Sequence, residues 1–469
     1  MFISSIRRTA LQHGALCMRT LTYSSTHCGY LHCHRSHHQR PTTIRRAHTS
    51  SPLKLDHSVI IEEETLPGYN PSHYYAVRIG DLLRDRYHII GKLGYGSTST
   101  VWLCRDLKSQ GSSVYVALKI HTNNNSKSHR ELPVYKYINN LKESSHEGRK
   151  YVRALRDHFE LEGPHGNHIC LVHETAGLNL EELRDLLPNQ TFEPDLLRQS
   201  LRSILRGLHF LHSEVGVIHT DIQPKNILLG VLDNSAFERF ERDEKEAPFP
   251  QKELPCGRIV YVSHPMPLTK GPPLLCDLSE ARFATSEHQS NKDLIMPDLY
   301  RAPEVILGMP WSYEVDIWGF GMMLWDLLEP TRLFAAKGPD GRYSEAHHLA
   351  QMIAMMGPPP TGFLERSDHS AMYFDQKGHW KGGIEIPEDM TLEAAEQRLQ
   401  GEEKAQFLNL MRKTLQWRPE DRCSIEDIYL DEWMMADLIT SGEIVSTCSS
   451  FPSSSPRLRF RPGPVCDAL

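Results

Sequence analysis

No run of about 18 apolar residues occurs in the chain, which excludes a conventional membrane-spanning helix. Acid is missing at the start: residues 1–55 contain no Asp or Glu, and the first carboxylate is Asp56. A surplus of positive charge is missing overall. The formal net charge is −7, so bulk charge gives no reason to expect a nucleic-acid partner. Cysteine is sparse for 469 residues, and the 10 present follow no regular spacing. That argues against a disulfide framework and fits free thiols in a reducing compartment. Hydrophobic residues make up 39% and charged residues 24% of the chain, as in soluble globular proteins with a sizeable core. The length allows two or three domains.

The acid-free segment carries Arg7, Arg8, Arg19, Arg35, Arg40, Arg45 and Arg46 among many Ser, Thr and His. Phe2, Ile3, Ile6, Leu11 and Leu16 would line one side of a basic amphipathic helix if one forms, and the composition is that of a mitochondrial transit peptide. A disordered basic tail is the alternative. His27, Cys28, His32, Cys33, His34, His37 and His38 match no common zinc spacing. Glu62, Glu63 and Glu64 end the basic tract, and Pro67-Gly68-Tyr69-Asn70-Pro71 reads as a turn-rich linker. The folded part is expected to begin near Tyr74.

Chemistry is concentrated in a few short stretches. Gly94-Tyr95-Gly96-Ser97-Thr98-Ser99 follows a strand from Arg86 to Lys92 and leads into Val101-Trp102-Leu103. Glycine lets backbone N–H groups approach phosphates closely, although a plain hairpin fits the same pattern. Lys119 sits in the apolar strand Val116–Ile120 and needs an anionic partner there. Glu131 opens the helical pattern Leu132, Tyr135, Ile138, Leu141 and is the natural partner; a surface Glu is the bland alternative. Pro133 places the start of that helix close to Arg130. The strand His168–Glu174 runs into Thr175-Ala176-Gly177, where a hinge between two lobes is expected. An amphipathic helix from Leu196 to Val215 feeds Val217–Leu229, read as strand, loop, strand, with His219, Asp221 and Asn226 in the loop. Asp277-Leu278-Ser279 follows the apolar Leu274-Leu275-Cys276. Before it lies charged, proline-rich sequence, about 233–273, read as an exposed and partly disordered insert.

The loop His219-Thr220-Asp221 with Asn226 resembles the H-R-D-x-x-x-x-N loop of protein kinases. Alone it is a weak signal that a small-molecule phosphotransferase would also give. The order of motifs is specific: Gly-rich loop, strand Lys, helix Glu, H-x-D loop, metal Asp, Ala302-Pro303-Glu304, then Asp316-Ile317-Trp318-Gly319-Phe320-Gly321. More narrowly the chain resembles the SR-protein kinase family, especially its short fungal relatives, over about residues 62–436. Tyr74-Tyr75-Ala76-Val77-Arg78-Ile79-Gly80-Asp81, Lys92–Leu103 and His219-Thr220-Asp221-Ile222 carry that likeness.

The resemblance implies an α+β, bilobal protein-kinase fold with a small, mostly β N-lobe and a larger, mostly α C-lobe. We divide the chain into the basic segment 1–55, a linker and extension at 56–85, the N-lobe at 86–174, the C-lobe at 175–436 containing the insert, and a mobile Ser/Pro-rich tail at 437–469. The implied activity is ATP-dependent phosphorylation of protein serine, within Arg/Ser-rich segments. ATP would lie among Leu93, Gly94, Gly96, Ser99, Val101, Ala117, Glu174 and Ala176, with Lys119 on its phosphates and Glu131 positioning Lys119. Asp221 would be the catalytic base, with Asn226 and Asp277 holding Mg2+. Glu304, Asp316 and Arg422 are structural supports, with Arg422 the expected partner of Glu304. We expect a monomer, without direct nucleic-acid contact, in cytoplasm and nucleus; residues 1–55 make the mitochondrion the alternative.

Two departures stand out. The family carries Lys two residues after the catalytic Asp, where this chain has Gln223. A neutral amide stabilises developing anionic charge less well, so a nucleotide-binding scaffold with weak transfer is the rival reading. The Arg of H-R-D is Thr220, so activity is expected to be independent of phosphate on Thr285, Ser286 or Ser290, unless Arg282 supplies the missing cation.

Overall fold

In this computed structural model, residues 52–109, 114–123, 128–141, 144–284, 291–447 and 457–460 are described. The targeting and metal readings on the first 51 residues, and the activation-segment positions Thr285, Ser286 and Ser290, lie outside them.

Strands β1 (Leu82–Leu83), β2 (Tyr87–Gly96), β3 (Ser99–Asp106), β4 (Tyr115–His121), β5 (Leu155–Gly163) and β6 (Gly166–Glu174) form one sheet in the order β1-β2-β3-β4-β6-β5. Every neighbouring pair is antiparallel. Side chains alternate between its faces. Tyr87, Ile89, Trp102, Cys104, Val116 and Leu118 are buried on one face, together with Val77 and Leu83. Ile90, Leu93, Leu103, Tyr115 and Ala117 are buried on the other. Helix α1 (Ser128–Asn140) crosses from β4 toward β5 and buries Val134, Tyr135 and Ile138 in the main core. It begins two residues before Arg130, so Pro133 falls in its second turn and forfeits a single backbone hydrogen bond.

The larger lobe is helical. Between them, α2 (Leu180–Leu186) and α3 (Pro194–Phe210) bury Leu180, Leu183, Leu197, Leu201, Ile204, Leu205 and Leu208. Each such leucine or isoleucine contributes roughly 1.5–3 kcal/mol through its removal from water. After Phe210 one wider helical turn runs to Val215, and Gly216, at φ 68°, ends it in the left-handed conformation glycine tolerates. The catalytic-loop strands follow: β7 (Val217–Ile218) and β8 (Ile227–Leu229). Later, every residue of α5 (Glu314–Leu328) from Val315 onward is buried, which makes it the central helix of the lobe.

At the end of α5, Glu329 is buried near the equally buried Glu396. Burial, and then the Glu396 carboxylate, push the Glu329 carboxyl up to about 7. A carboxyl raised in the folded state binds its proton more tightly there than when unfolded. Stability is therefore full below the ordinary Glu range and falls as pH rises through about 7. We predict that Glu329→Gln stabilises the protein by about 1–3 kcal/mol at pH 8 and little at pH 5. Denaturant unfolding at both values checks this; equal effects would place the ionisation elsewhere.

Three boundaries drawn from the sequence need correction. The insert is not a loose exposed segment: it forms a helix and two paired strands that bury one side and leave the other in solvent. Its helix α4 (Ser235–Glu246) buries Phe237 and Phe240 against Ile90, Leu103 and Tyr115 of the N-lobe sheet. The strands β9 (Gln251–Glu253) and β10 (Ile259–Tyr261) form a hairpin. Counting charges concealed an amphipathic helix. Its buried Glu241 is neutralised by Arg105 and Lys245, and Tyr115 Oη donates to it at 2.6 Å. The 56–85 stretch is not a linker: Glu63 is buried, pairs with Lys92, and accepts from Arg258 at 2.6 Å. That triad ties the extension, β2 and the insert together. Even Lys54 of the acid-free segment bridges to Gln251. Finally, a tail starting at 437 would cut helix α6 (Glu432–Thr440), in which Trp433, Met434 and Met435 are buried. Two four-residue strands, Ile444–Thr447 and Arg457–Phe460, pair beyond it.

Candidate active site

The cleft between the lobes is built from strand ends and the loops after them, where rigid elements can hold polar groups in place. Lys119, on the same face of β4 as Ala117, reaches Glu131 of α1 at 2.8 Å and Asp277 at 3.0 Å. Burial alone would raise both carboxyls. The Lys119 ammonium wins, and Glu131 and Asp277 are both held below the usual carboxylate range. Lys119 is held above its ordinary value by Asp277 and Glu131, against the cost of burial.

Asp277 follows β11 (Pro273–Leu275), which pairs with β8 and so sets Asp277 beside the catalytic loop. Both Asp277, at φ 61°, and Thr220, at φ 66°, occupy the left-handed region that non-glycine residues rarely adopt. The surroundings hold them there. Asp316, buried on α5, accepts from the backbone N–H of His219 and of Thr220, both at 2.7 Å, and lies 2.8 Å from His212. The Thr220 hydroxyl donates to the Glu280 carbonyl at 2.8 Å. Just beyond, β12 (Arg282–Phe283) pairs with β7.

Asp221 is gripped from both sides. Asn226 Nδ2 donates to its Oδ2 at 2.7 Å and to its carbonyl at 2.8 Å, and Gln223 Nε2 donates to its Oδ1 at 2.6 Å. Burial, opposed by His219 and these hydrogen bonds, leaves the Asp221 carboxyl above its ordinary range. Lys225 lines the same cavity, but its ammonium lies 3.5 Å from Glu181. Glu304 and Arg422 form a two-pronged pair at 2.7 and 2.6 Å, with both side chains at most 1% exposed.

A cavity of about 340 Å3 joins these groups: Gly96, Ser99, Val101, Lys119, Glu131, Asp221, Asn226 and Asp277 all line it. Leu93, Gly94, Ala117, Glu174 and Ala176 stand outside its walls. Asp277 and Asn226 offer hard oxygen atoms, and Mg2+ takes one or two carboxylates and completes its shell with water and phosphate, so the residues fit that ion. Three cleft residues were missed from the sequence. His173, last but one in β6, pairs with Ala117 across the sheet and stacks edge-on with Tyr135. Burial and then Arg153 push its imidazole down to about 3, so it is neutral. Arg153 donates twice to the Glu174 carbonyl, at 3.1 and 2.9 Å. A polar residue closing the otherwise apolar Cys170–Val172 run was the available signal for His173; Arg153 and Tyr135 had none.

A sheet lobe, a helical lobe and a paired Lys–Glu–Asp beside an Asp–Asn loop define a phosphoryl-transfer enzyme of the protein-kinase class. The protein kinase domain model matches residues 87–434, and the chain belongs to that family. Within it, the chain is a serine/threonine protein kinase of the SR-protein kinase group. A serine/threonine protein kinase of Aspergillus fumigatus is 41% identical over 403 residues, covering 85% of this chain and 97% of that protein. The serine/threonine-protein kinase SRPK of Physarum polycephalum is 30% identical over 400 residues, covering 80% of this chain and 92% of that one. The crystal structure of a kinase domain superposes with a TM-score of 0.59 at 21% identity, covering 78% of this chain and all of that one, a likeness of fold.

Proposed function

We propose that this kinase transfers the γ-phosphate of ATP to serine within Arg/Ser-rich protein segments, with Asp221 as proton acceptor. The observation that carries the chemistry is the grip on Asp221. Two amides fix its carboxylate on the wall of the cavity that also holds Lys119 and Asp277. A carboxylate with raised proton affinity in that position suits the removal of a hydroxyl proton. Support for the substrate class is the likeness to the Physarum SRPK.

Lys119, oriented by Glu131, binds the nucleotide phosphates. Asn226 and Asp277 would hold Mg2+, which supplies charge neutralisation for the phosphates when bound. Gly94 and Gly96 let the β2–β3 turn lie close to those phosphates. Asp316 keeps the loop carrying Asp221 in shape. Most of the catalytic effect is then positioning and electrostatics. The test is transfer of radiolabel from ATP to an Arg/Ser peptide by the purified chain. Label on an Arg-free Ser peptide at an equal rate would reject the substrate class, and no label on any protein would reject the transfer itself.

Gln223 bears on the rate. Its amide is spent on Asp221, and Lys225 leans toward Glu181, so among the described residues neither position 223 nor Lys225 fixes an ammonium against Asp221. We predict that Gln223→Lys raises kcat by about tenfold with little change in nucleotide affinity, because a cation there acts on charge that develops in the transition state. An unchanged kcat would mean that Lys225 already fills the role.

A further inference from the structure

Of the apolar residues assigned to the nucleotide site, the open cavity reaches Val101 but not Leu93, Ala117 or Ala176. Leu93, Ala117 and Ala176 are only 8%, 1% and 1% exposed. The returning end of the insert runs past them. At its upper end, the His264 N–H donates to the Lys92 carbonyl at 2.9 Å, and the His264 ring lies 4.0 Å from that of Phe240 and 4.2 Å from that of Phe249. Met266 packs against the cluster that contains Leu93 and Ala117. Below, the Leu178 N–H, just past the hinge, donates to the Pro267 carbonyl at 3.1 Å. Thr269, buried, donates from its hydroxyl to the Leu229 carbonyl at 3.2 Å. The fit against the hinge is close. A Cβ on Gly177 would stand 2.2 Å from Thr269 Oγ1 and 2.5 Å from the Pro267 carbonyl oxygen.

Residues 264–269 therefore run from Lys92 in the middle of β2, above the cleft, across the hinge to Leu229 at the end of β8 below it. Pro265 and Pro267 restrict the backbone of this short segment and stiffen it. We infer that residues 264–269 form a strap across the outer mouth of the adenine site, and that nucleotide enters and leaves only when the strap opens. This rests on the reading of the cleft as a nucleotide site. The insert then belongs to the kinase machinery: it sets the pace of nucleotide exchange without touching the transferred phosphate.

The experiment is stopped-flow binding of a fluorescent ADP analogue with Mg2+ to the full chain. If the strap gates the site, the observed association rate levels off at high nucleotide concentration, and the plateau reports strap opening. Gly177→Ala, which wedges the strap from the hinge, and Met266→Ala, which removes its apolar anchor, should each raise the plateau about tenfold, the effect of losing one anchoring contact. An association rate that climbs linearly in the wild-type chain overturns the strap, and this measurement needs no variant to fold. Plateaus unchanged in both variants, with their thermal unfolding like that of the wild type, overturn it as well. Binding by Gly177→Ala but not by the wild type supports a strap that stays shut. No binding by any of the three rejects the nucleotide site itself, and the strap with it.

Discussion

Asp221→Asn should lower phosphate transfer about 10³-fold while leaving nucleotide affinity within a factor of about two, because it removes the proton acceptor and nothing that touches the nucleotide. The geometry sharpens this expectation. Both carboxylate oxygens of Asp221 already accept hydrogen bonds, from Gln223 Nε2 and Asn226 Nδ2. An Asn amide has one acceptor oxygen and one NH2 group, so one of these donors would face another donor. The loop then loses a hydrogen bond as well as a base. Adding Gln223→Glu to the Asp221→Asn variant gives the new NH2 an acceptor and should restore local order without restoring transfer. Single-turnover kinetics beside nucleotide titration separates the two effects. Equal transfer by wild type and Asp221→Asn would remove Asp221 from the mechanism.

Arg422→Ala should be the most destabilising single change in the larger lobe. Its guanidinium holds both oxygens of Glu304, donates to the carbonyls of Gln416 and Glu314, and lies 5.1 Å over the Trp318 ring. Truncation leaves the Glu304 carboxylate buried with its cation gone. That typically costs about 3–5 kcal/mol, against a total stability on the order of 5–15 kcal/mol. We expect Tm to fall by about 10 °C and the yield of folded protein to fall with it. The double variant Glu304→Gln, Arg422→Met should lose less than the single one, since removing both charges avoids the unpaired ion. A Tm for Arg422→Ala within about 2 °C of the wild type would show that the pair does not hold the lobe.

The sequence was most readable where chemistry is local. Lys119 declared itself as a lone cation in an apolar strand, and Glu131 as an acid opening a helix; the fold brings them to 2.8 Å. Asp221 and Asn226 share one loop, so their spacing is their geometry. The pairing of Glu304 with Arg422 spans 118 positions yet was legible, because a buried acid demands a cation and few were placed to serve. Contacts without such a demand stayed hidden. Phe237 and Phe240 were lost among the charges of α4, although their spacing puts them on one helix face. Arg153 reaches the Glu174 carbonyl across two strands, and no periodicity signals that. The proline-rich end of the insert read as loose chain because proline marks turns, whereas here it runs along the hinge.

The triad of Glu63, Lys92 and Arg258 also has a consequence in time. A ribosome delivers the chain from its first residue, and once it has passed Glu174 all six strands of the sheet exist. Ile90, Leu103 and Tyr115 still lack Phe237 and Phe240, and Lys92 and Glu63 still lack Arg258. At about 5–20 residues per second, the wait for the rest of the insert is on the order of ten seconds. Throughout that interval the nascent lobe shows an apolar face and an incomplete buried charge cluster. Chaperone binding should therefore concentrate on ribosome-bound chains that end between the hinge and β10, and should fall away once Tyr261 has emerged.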